Sequence, residues 1–136
     1  MYLIKIEVGD SKIEGKGVFT LEDIKKDSVV WRYDPNHDES LSITDFEALD
    51  KDAREGLLRV AYLSESSNRW VYPPDDDPAR FTNHSEQNNL SVIFDKSVSE
   101  EPLFVANKDI KKDEELTVNY LEFDNRPEKD VLDWAK

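Results

Sequence analysis

Short segments rich in β-branched and aromatic residues alternate with polar or glycine-containing segments along most of the chain. Segments of this composition are typical of β-strands, and they occur at residues 2–8, 18–20, 28–33, 70–72, 90–94, 103–106 and 116–120. A polar turn separates the segments at 90–94 and 103–106, so we expect these two strands to pair. Residues 34–40 are polar and contain a proline, which predicts a loop.

One stretch in the middle of the chain has helical periodicity instead. Its apolar residues recur every three or four positions, which is the spacing of one helix face; they are Phe46, Leu49, Ala53, Leu57 and Ala61. Thr44 and Glu47 have the spacing of a capping box, which predicts that the helix begins at Thr44. Asp50 and Gly56 are positions at which it could divide into two. The sequence therefore predicts a mostly β fold with a helical insert at about residues 44–63.

Two further features concern the ends of these elements. The pentapeptide Asp23-Ile24-Lys25-Lys26-Asp27 recurs letter for letter as Asp109-Ile110-Lys111-Lys112-Asp113. Each copy lies between two predicted strands, so we interpret it as one polar turn used twice, with the isoleucine as its apolar anchor. Near the end of the chain, Pro127 suits a first helical turn and predicts a short terminal helix over residues 128–134.

Length and composition limit the class of protein. The 136 residues fit one domain, and 38% hydrophobic with 10% aromatic residues exclude a disordered acidic chain. No apolar run approaches the roughly 20 residues of a membrane helix, and the first residues lack the pattern of a signal peptide. The absence of cysteine excludes disulfides and thiolate metal sites. We expect an intracellular protein, either cytoplasmic or, if its source is viral or eukaryotic, in a (host) nucleus.

The charge limits the partners. A formal net charge of −13 repels a phosphate backbone, so we expect no direct binding to nucleic acid. The same charge attracts cationic proteins and raises their encounter rate. Solubility alone is an equally good reason for the acidity, and both interpretations stay open.

Several familiar sites do not fit the residues. Gly15-Lys16-Gly17 is not a dinucleotide fingerprint, because Thr20 stands where the third glycine belongs. The segment from Asp34 begins like a calcium loop but has Glu39 in place of the glycine and Asp45 in place of the closing glutamate. Asp75-Asp76-Asp77 is interpreted as a solvated loop. The sequence therefore predicts no metal.

One polar segment stands out between two predicted strands. It reads Arg80-Phe81-Thr82-Asn83-His84-Ser85-Glu86-Gln87-Asn88-Asn89 and gathers an arginine, a histidine and three asparagines around one aromatic residue. Polar side chains at this density often hold a loop rigid through bonds to the backbone. Taken alone, the segment favours that structural interpretation.

Three segments in order change the interpretation. They are Gly15-Lys16-Gly17-Val18-Phe19, Arg80 to Asn89, and Glu114-Glu115-Leu116-Thr117-Val118-Asn119-Tyr120. In this order they resemble the first, second and third motifs of the SET domain of protein lysine methyltransferases. The resemblance spans residues 1–124 as the SET domain, and residues 125–136 form a tail. Departures from the family pattern are Thr82, Glu86, Asn88, Asp113 and Asn119. The cysteine-rich, zinc-binding segment that often follows the domain is missing, so the tail must close the site by packing.

The resemblance implies a fold, a reaction and site residues. The fold would be a β-clip of several short sheets in which the third motif threads beneath a loop formed by the second, a pseudoknot-like C-terminal crossing. The reaction would be transfer of a methyl group from S-adenosylmethionine to a lysine side chain. Tyr120 would be catalytic and, with Phe123, would contact the substrate. The cofactor site would include Gly15, Lys16, Gly17, Asn83, His84, Arg80, Phe81 and Trp134, of which Arg80 and Phe81 support the loop.

The partner implied is a basic protein or peptide that carries the target lysine, for which a histone-like or a ribosomal protein is suitable. A homodimer would be reasonable, since the short tail barely covers the site, and no membrane partner is expected. The alternative is a SET-like binding or dimerisation module that has lost catalysis, which the short tail and the changes at Asn88 and Asn119 make plausible. A metal-binding β protein is a third possibility, which would be stabilised by calcium.

Overall fold

The computed structural model describes residues 1–135, and this part of the chain is mostly β. Its strands are β1 (Ile6–Asp10), β2 (Lys16–Thr20), β3 (Val29–Trp31), β4 (Glu39–Ser42), β5 (Tyr62–Leu63), β6 (Arg69–Tyr72), β7 (Asn83–His84), β8 (Leu90–Ile93), β9 (Leu103–Ala106) and β10 (Glu115–Val118). The helices are α1 (Ile43–Glu47) and α2 (Lys51–Leu58), with short 3₁₀ helices at Pro78–Phe81, Tyr120–Glu122, Glu128–Asp130 and Asp133–Ala135. The predicted fold class is confirmed.

The strands form small sheets in the orders β1-β2-β10-β7, β3-β9-β8 and β4-β6-β5. The expected pairing of residues 90–94 with 103–106 is confirmed, since β8 and β9 are antiparallel from Leu90 opposite Ala106 to Ile93 opposite Leu103. Strand β10 lies between β2, to which it is antiparallel, and β7, to which it is parallel. This position puts the end of β10 beside the polar segment that begins at Arg80.

The duplicated pentapeptide forms two turns that pair with each other. Ile24 and Ile110 exchange both backbone hydrogen bonds, each 2.8 Å long, and both side chains are buried. The Asp109 carboxylate accepts from the N–H of Lys26, and the Asp23 carboxylate accepts in the same way from Lys112. The two copies of the pentapeptide therefore bind each other through reciprocal hydrogen bonds, and they connect the turn after β2 to the turn before β10.

Two apolar clusters form the core. The larger one lies between the first two sheets and contains Val18, Val30, Trp31, Phe104, Leu116 and Val118. The smaller one lies beneath the helical insert and contains Phe46, Leu58, Ala61, Leu63 and Trp70. The helical insert is therefore held in place by a core of its own.

The helical insert begins earlier than the sequence predicts. Helix α1 starts at Ile43, and Ser42 caps it by accepting from the N–H of Asp45 at 3.1 Å, so the capping box predicted at Thr44 is wrong. Asp50 caps α2 by accepting from the N–H of Ala53, whereas Gly56 continues the helix. Ala53 is exposed rather than part of the buried face, because the break at Asp50 changes the direction of the apolar stripe.

Other differences concern short strands and the tail. Strand β4 takes in Glu39 and Ser40 from the predicted loop, because they pair with β6. The predicted terminal helix consists of two short 3₁₀ helices instead, with residues 131 and 132 between them. Lys136 of the predicted tail lies outside the described residues. Within residues 1–135, none of the helices is long and apolar enough to cross a membrane.

Candidate functional site

The second motif wraps around the third. Asn89 is the centre of this crossing, because its side-chain amide donates to the carbonyl of Glu115 at 2.8 Å and accepts from the N–H of Thr117 at 2.9 Å. On the other side of the loop, the N–H of Ser85 donates to the carbonyl of Val118 at 2.9 Å. Strand β10 is thus held on both sides by the segment 83–89, and the residues that follow it emerge next to His84.

His84 and Tyr120 meet at this point. The backbone N–H of Tyr120 donates to Nδ1 of His84 at 3.3 Å, and the two ring centroids are 6.4 Å apart. Because Nδ1 accepts, the proton of the neutral imidazole lies on Nε2. That atom is buried and has no hydrogen-bond partner among the described residues. Burial lowers the pKa of His84 below its ordinary value, so the ring is neutral at physiological pH and offers one unused donor.

The phenol of Tyr120 lies in an aromatic environment. Its ring centroid is 5.2 Å from that of Phe123 and 5.2 Å from that of Trp134, in both cases with steeply inclined planes. Burial raises the pKa of Tyr120 well above its ordinary value, although the positive charge of Arg126 opposes the shift. The phenol therefore remains protonated and can both donate and accept a hydrogen bond.

A cavity of about 430 Å³ lies against these residues. Its volume is within the range of roughly 300–1,000 Å³ typical of small-molecule sites. Seven of the residues predicted for the site line it, namely Lys16, Arg80, Phe81, Asn83, His84, Tyr120 and Trp134. The lining also includes residues that the sequence analysis missed, namely Ile13, Glu14, Arg59, Val60 and Thr82.

Asn83 joins the second motif to the first. Its side-chain nitrogen lies 3.0 Å from the carbonyl oxygen of Lys16, 3.2 Å from that of Glu14 and 2.9 Å from a carboxylate oxygen of Glu115. The hydroxyl of Ser11 is a fourth neighbour at 3.1 Å and donates to the same carboxylate. An amide has only two hydrogens, so oxygen acceptors are in excess here. Such an arrangement also suits a cationic amine.

The two glycines of the first motif lie beside the cavity but do not line it. Gly15 has a φ of 49°, in the left-handed region that favours glycine. A Cβ at Gly17 would come within 2.3 Å of Oε2 of Glu115. In this structure the missing side chain of Gly17 makes room for the carboxylate of Glu115. Glu115 belongs to the third motif, but nothing in its sequence spacing indicated this contact.

The remaining predicted residues have clear surroundings. Arg80 and Phe81 are exposed at the rim of the cavity, with the guanidinium 5.6 Å from the phenyl centroid. Phe123 is buried between Tyr62 and Tyr120, with ring centroids 5.4 and 5.2 Å away. It supports the back of Tyr120 and is not part of the cavity lining. Trp134 closes one side of the cavity, with its ring 4.5 Å from that of His84.

Most of the departures from the family pattern have a structural explanation. The hydroxyl of Thr82 bonds to that of the buried Tyr2 at 2.8 Å. Asn119 accepts from the N–H of Leu121 at 3.0 Å, a role that an aspartate fills equally well. The side-chain nitrogen of Asn88 donates to the carbonyl of Leu90 and to Glu122. Asp113 has a φ of 74°, in the left-handed region that favours glycine.

The structure corrects the interpretation of Asp77 as part of a solvated loop. Asp77 is buried, bonds to Nε2 of His37 at 2.6 Å and accepts from the N–H of Ala79 at 2.8 Å. With Asp38, these side chains place potential metal-binding atoms within 4.8 Å of one another. Oδ2 of Asp38 accepts from the N–H of Asp34 and from the amino group of Met1, whereas its Oδ1 is buried and has no hydrogen-bond partner within residues 1–135.

Comparison with known proteins identifies a family to which the segment containing the three motifs is similar. The family model of the SET domain matches residues 15–121. Among solved structures, the chain is similar to a Plasmodium falciparum protein provisionally assigned as a histone methyltransferase, with a TM-score of 0.57 and 27% identity over 86% of this chain and 93% of that one. It is also similar to a chain of the apo ctPRC2 complex with two substitutions in Ezh2, with a TM-score of 0.63 and 27% identity over 90% of this chain and 16% of that one. No curated protein sequence matches the chain significantly.

Proposed function

The chain belongs to the SET-domain family, and on that premise we propose that it transfers a methyl group from S-adenosylmethionine to the side-chain amine of a lysine in a basic protein. The similarity to histone methyltransferases supports methyltransferase activity in general. The observation that carries the specific proposal is the meeting of Tyr120, the Asn83–His84 segment and Trp134 around one cavity.

The residues around the cavity fit S-adenosylmethionine. The backbone carbonyls of Glu14 and Lys16, two residues of the cavity lining, are acceptors for an ammonium group near Asn83. The buried Nε2 of His84 is a donor without a partner among the described residues, and the rings of Trp134 and Tyr120 suit the positive charge of a sulfonium. When bound, S-adenosylmethionine supplies a methyl group that is activated for attack by an amine.

The chain's own task is to prepare and position the amine. A free lysine has a pKa of about 10.4, and only its neutral form is nucleophilic. Transfer into a half-buried, aromatic surrounding disfavours the charged form and lowers that pKa. The protonated phenol of Tyr120 can accept from the amine or donate to it and thereby orient its lone pair. Positioning of this kind accounts for most of the catalysis that such a site can supply.

The aromatic cluster also limits water. Phe123 packs behind Tyr120, and Trp134 covers the side of the cavity next to His84. Both rings belong to the segment after the third motif, which contains no cysteine. The packing of these two rings supports the proposal that this segment closes the site.

The net charge of −13 supports a basic substrate, because it favours encounter with cationic proteins. Histone-like and ribosomal proteins share this property, and both belong in the first substrate panel. The transfer assay uses cofactor labelled in its methyl group together with this panel, and the modified band identifies the substrate.

A catalytically inactive SET-like binding module is the second candidate. The changes at Asn88 and Asn119 suggested it, yet both side chains make ordinary structural hydrogen bonds and leave the cavity intact. Calorimetry with S-adenosylmethionine separates the two candidates. Saturable binding supports the enzyme, whereas no binding at millimolar cofactor supports the module.

A further inference from the structure

Arg126 is a buried cation that lies between two aromatic rings. Its side chain is only 5% exposed. The central carbon of the guanidinium lies 5.6 Å from the ring centroid of Trp70 and 5.5 Å from that of Tyr120. Trp70 belongs to the core beneath the helical insert, so the guanidinium connects that core to the phenol of the candidate site.

The hydrogen bonds of Arg126 connect three parts of the chain. Nε donates to Asp124 at 2.7 Å, one terminal nitrogen donates to the carbonyl of Ala61 at 2.9 Å, and the other donates to the carbonyl of Asp130 at 3.3 Å. Ala61 follows the helical insert, and Asp130 lies in the tail that leads to Trp134. The planar, multiply donating guanidinium suits this arrangement, and a lysine ammonium would not reproduce it.

Asp124 fixes the same region from the backbone side. Its carboxylate is 2% exposed and accepts from the N–H groups of Leu63 and Arg126, each at 3.0 Å. Its own N–H donates to the carbonyl of Tyr120 at 2.8 Å. The backbone of Tyr120 is thus bonded to Asp124, and the ring of Tyr120 lies against Arg126, the ion-pair partner of Asp124.

We propose that Arg126 is a positioning residue that sets the orientation of the Tyr120 phenol. The expected effect on kcat rests on the proposed function. The expected effect on the orientation of the Tyr120 ring does not, because that orientation can be measured without any reaction.

The experiment compares the wild-type chain with Arg126→Lys, which keeps the charge but loses the planar fork. A second variant combines Asp124→Asn with Arg126→Met. It removes both charges of the buried pair, so neither charge is left unpaired, and it replaces Arg126→Lys in the experiment if that variant does not fold. Lys129→Met is the matched control, since it removes a tail cation whose ion pair with Glu47 is exposed. The ring signals of ¹³C-labelled tyrosine are recorded by NMR, with Tyr120 assigned from Tyr120→Phe.

We expect the Tyr120 signal to move in both Arg126 variants, while the signals of the other tyrosines and of the control stay in place. With saturating cofactor, kcat should fall by about 10- to 100-fold, whereas the cofactor Kd and substrate KM should change by less than about threefold. An unchanged Tyr120 signal, or a loss confined to KM, overturns the proposal. If the wild-type chain transfers no methyl group, the proposed function fails, and the NMR comparison still decides the role of Arg126.

Discussion

The indole ring of Trp134 stacks against the imidazole ring of His84, with centroids 4.5 Å apart and planes inclined by 34°. This contact brings the tail back to the second motif and completes the wall of the cavity. It also places a large aromatic surface beside Tyr120, with the two ring centroids 5.2 Å apart. The tail is therefore part of the candidate site.

Replacement of Trp134 tests that conclusion. Trp134→Ala should weaken the binding of S-adenosylmethionine by roughly 3- to 10-fold, since aromatic pairs contribute about 0.5–1.5 kcal/mol beyond burial. Isothermal titration calorimetry measures the effect. Leu121→Ala is the control, because Leu121 is 63% exposed and does not line the cavity. Equal affinities of the wild type and Trp134→Ala would show that the indole has no part in cofactor binding.

Gly17 permits a test of the first motif. Gly17→Ala would place a Cβ 2.3 Å from Oε2 of Glu115, so the carboxylate must move and its contact with Asn83 is lost. We expect the cofactor Kd to rise by about tenfold or more, consistent with the loss of a charge-assisted hydrogen bond. Gly56→Ala is the matched control, because its Cβ would meet nothing within 4 Å and lies in helix α2.

The outcome of a double variant sharpens this test. In the double variant Gly17→Ala/Glu115→Ser, the shorter side chain at position 115 removes the clash. The cofactor Kd of the double variant should therefore be close to that of Glu115→Ser alone, and lower than the Kd expected if the two single effects were independent. Simple addition of the two single effects would contradict the proposed crowding between Gly17 and Glu115.

The ion pair of His37 with Asp77 predicts a pH dependence of stability. The hydrogen bond to Asp77 raises the pKa of His37 above its ordinary value of about 6.5. The contribution is thus fully present below that value and is lost as the pH rises through the higher pKa of the folded state. We expect on the order of 1 kcal/mol or less, measured as the difference in unfolding free energy between the wild type and His37→Gln.

That difference should shrink from pH 6 to pH 9, and the use of a difference cancels the titration of other groups. His84 is one such group, because its lowered pKa acts in the opposite direction. A difference that grows with pH would show that the charged form of His37 is not the one that stabilises the fold.

Asp113 tests the backbone of the duplicated turn. Its φ of 74° is strained for most residues and free for glycine. Asp113→Gly should be neutral or stabilise the chain by up to about 1 kcal/mol, whereas Asp113→Ala should destabilise it by about 1 kcal/mol. Thermal unfolding measures both. A higher Tm for the alanine variant than for the glycine variant would contradict the left-handed conformation.

Much of the fold could be predicted because its information is local. Strands β8, β9 and β10 are rich in aliphatic and aromatic residues, and the two turns are recognisable because their pentapeptide is repeated. Strands β4 and β7 were missed because they are two to four residues long and mostly polar, and strand β5 lies within the segment that was predicted as the helical insert. Such strands depend on a partner strand, and no local pattern reveals the partner.

The same division applies to the site. Asn83, His84 and Tyr120 were named from motifs, since the motif order carries their proximity, and Trp134 was named as an aromatic residue of the tail. Glu115 against Gly17, Asp77 with His37, and Arg126 between Trp70 and Tyr120 were not foreseen. Except for Arg126 with Tyr120, these contacts join residues separated by 40 to 98 positions in sequence, and charged residues in polar segments are expected at the surface. These residues are buried because distant segments of the chain cross there, and the local sequence does not show where such crossings occur.

The most direct test of the central claim is single-turnover methyl transfer by the wild type and by Tyr120→Phe. Each is saturated with labelled S-adenosylmethionine and mixed with a panel of histone and ribosomal proteins. We predict that the wild type labels a lysine, and that Tyr120→Phe binds the cofactor normally but transfers at least about 100-fold more slowly. Transfer by Tyr120→Phe at the wild-type rate would contradict the role assigned to the phenol.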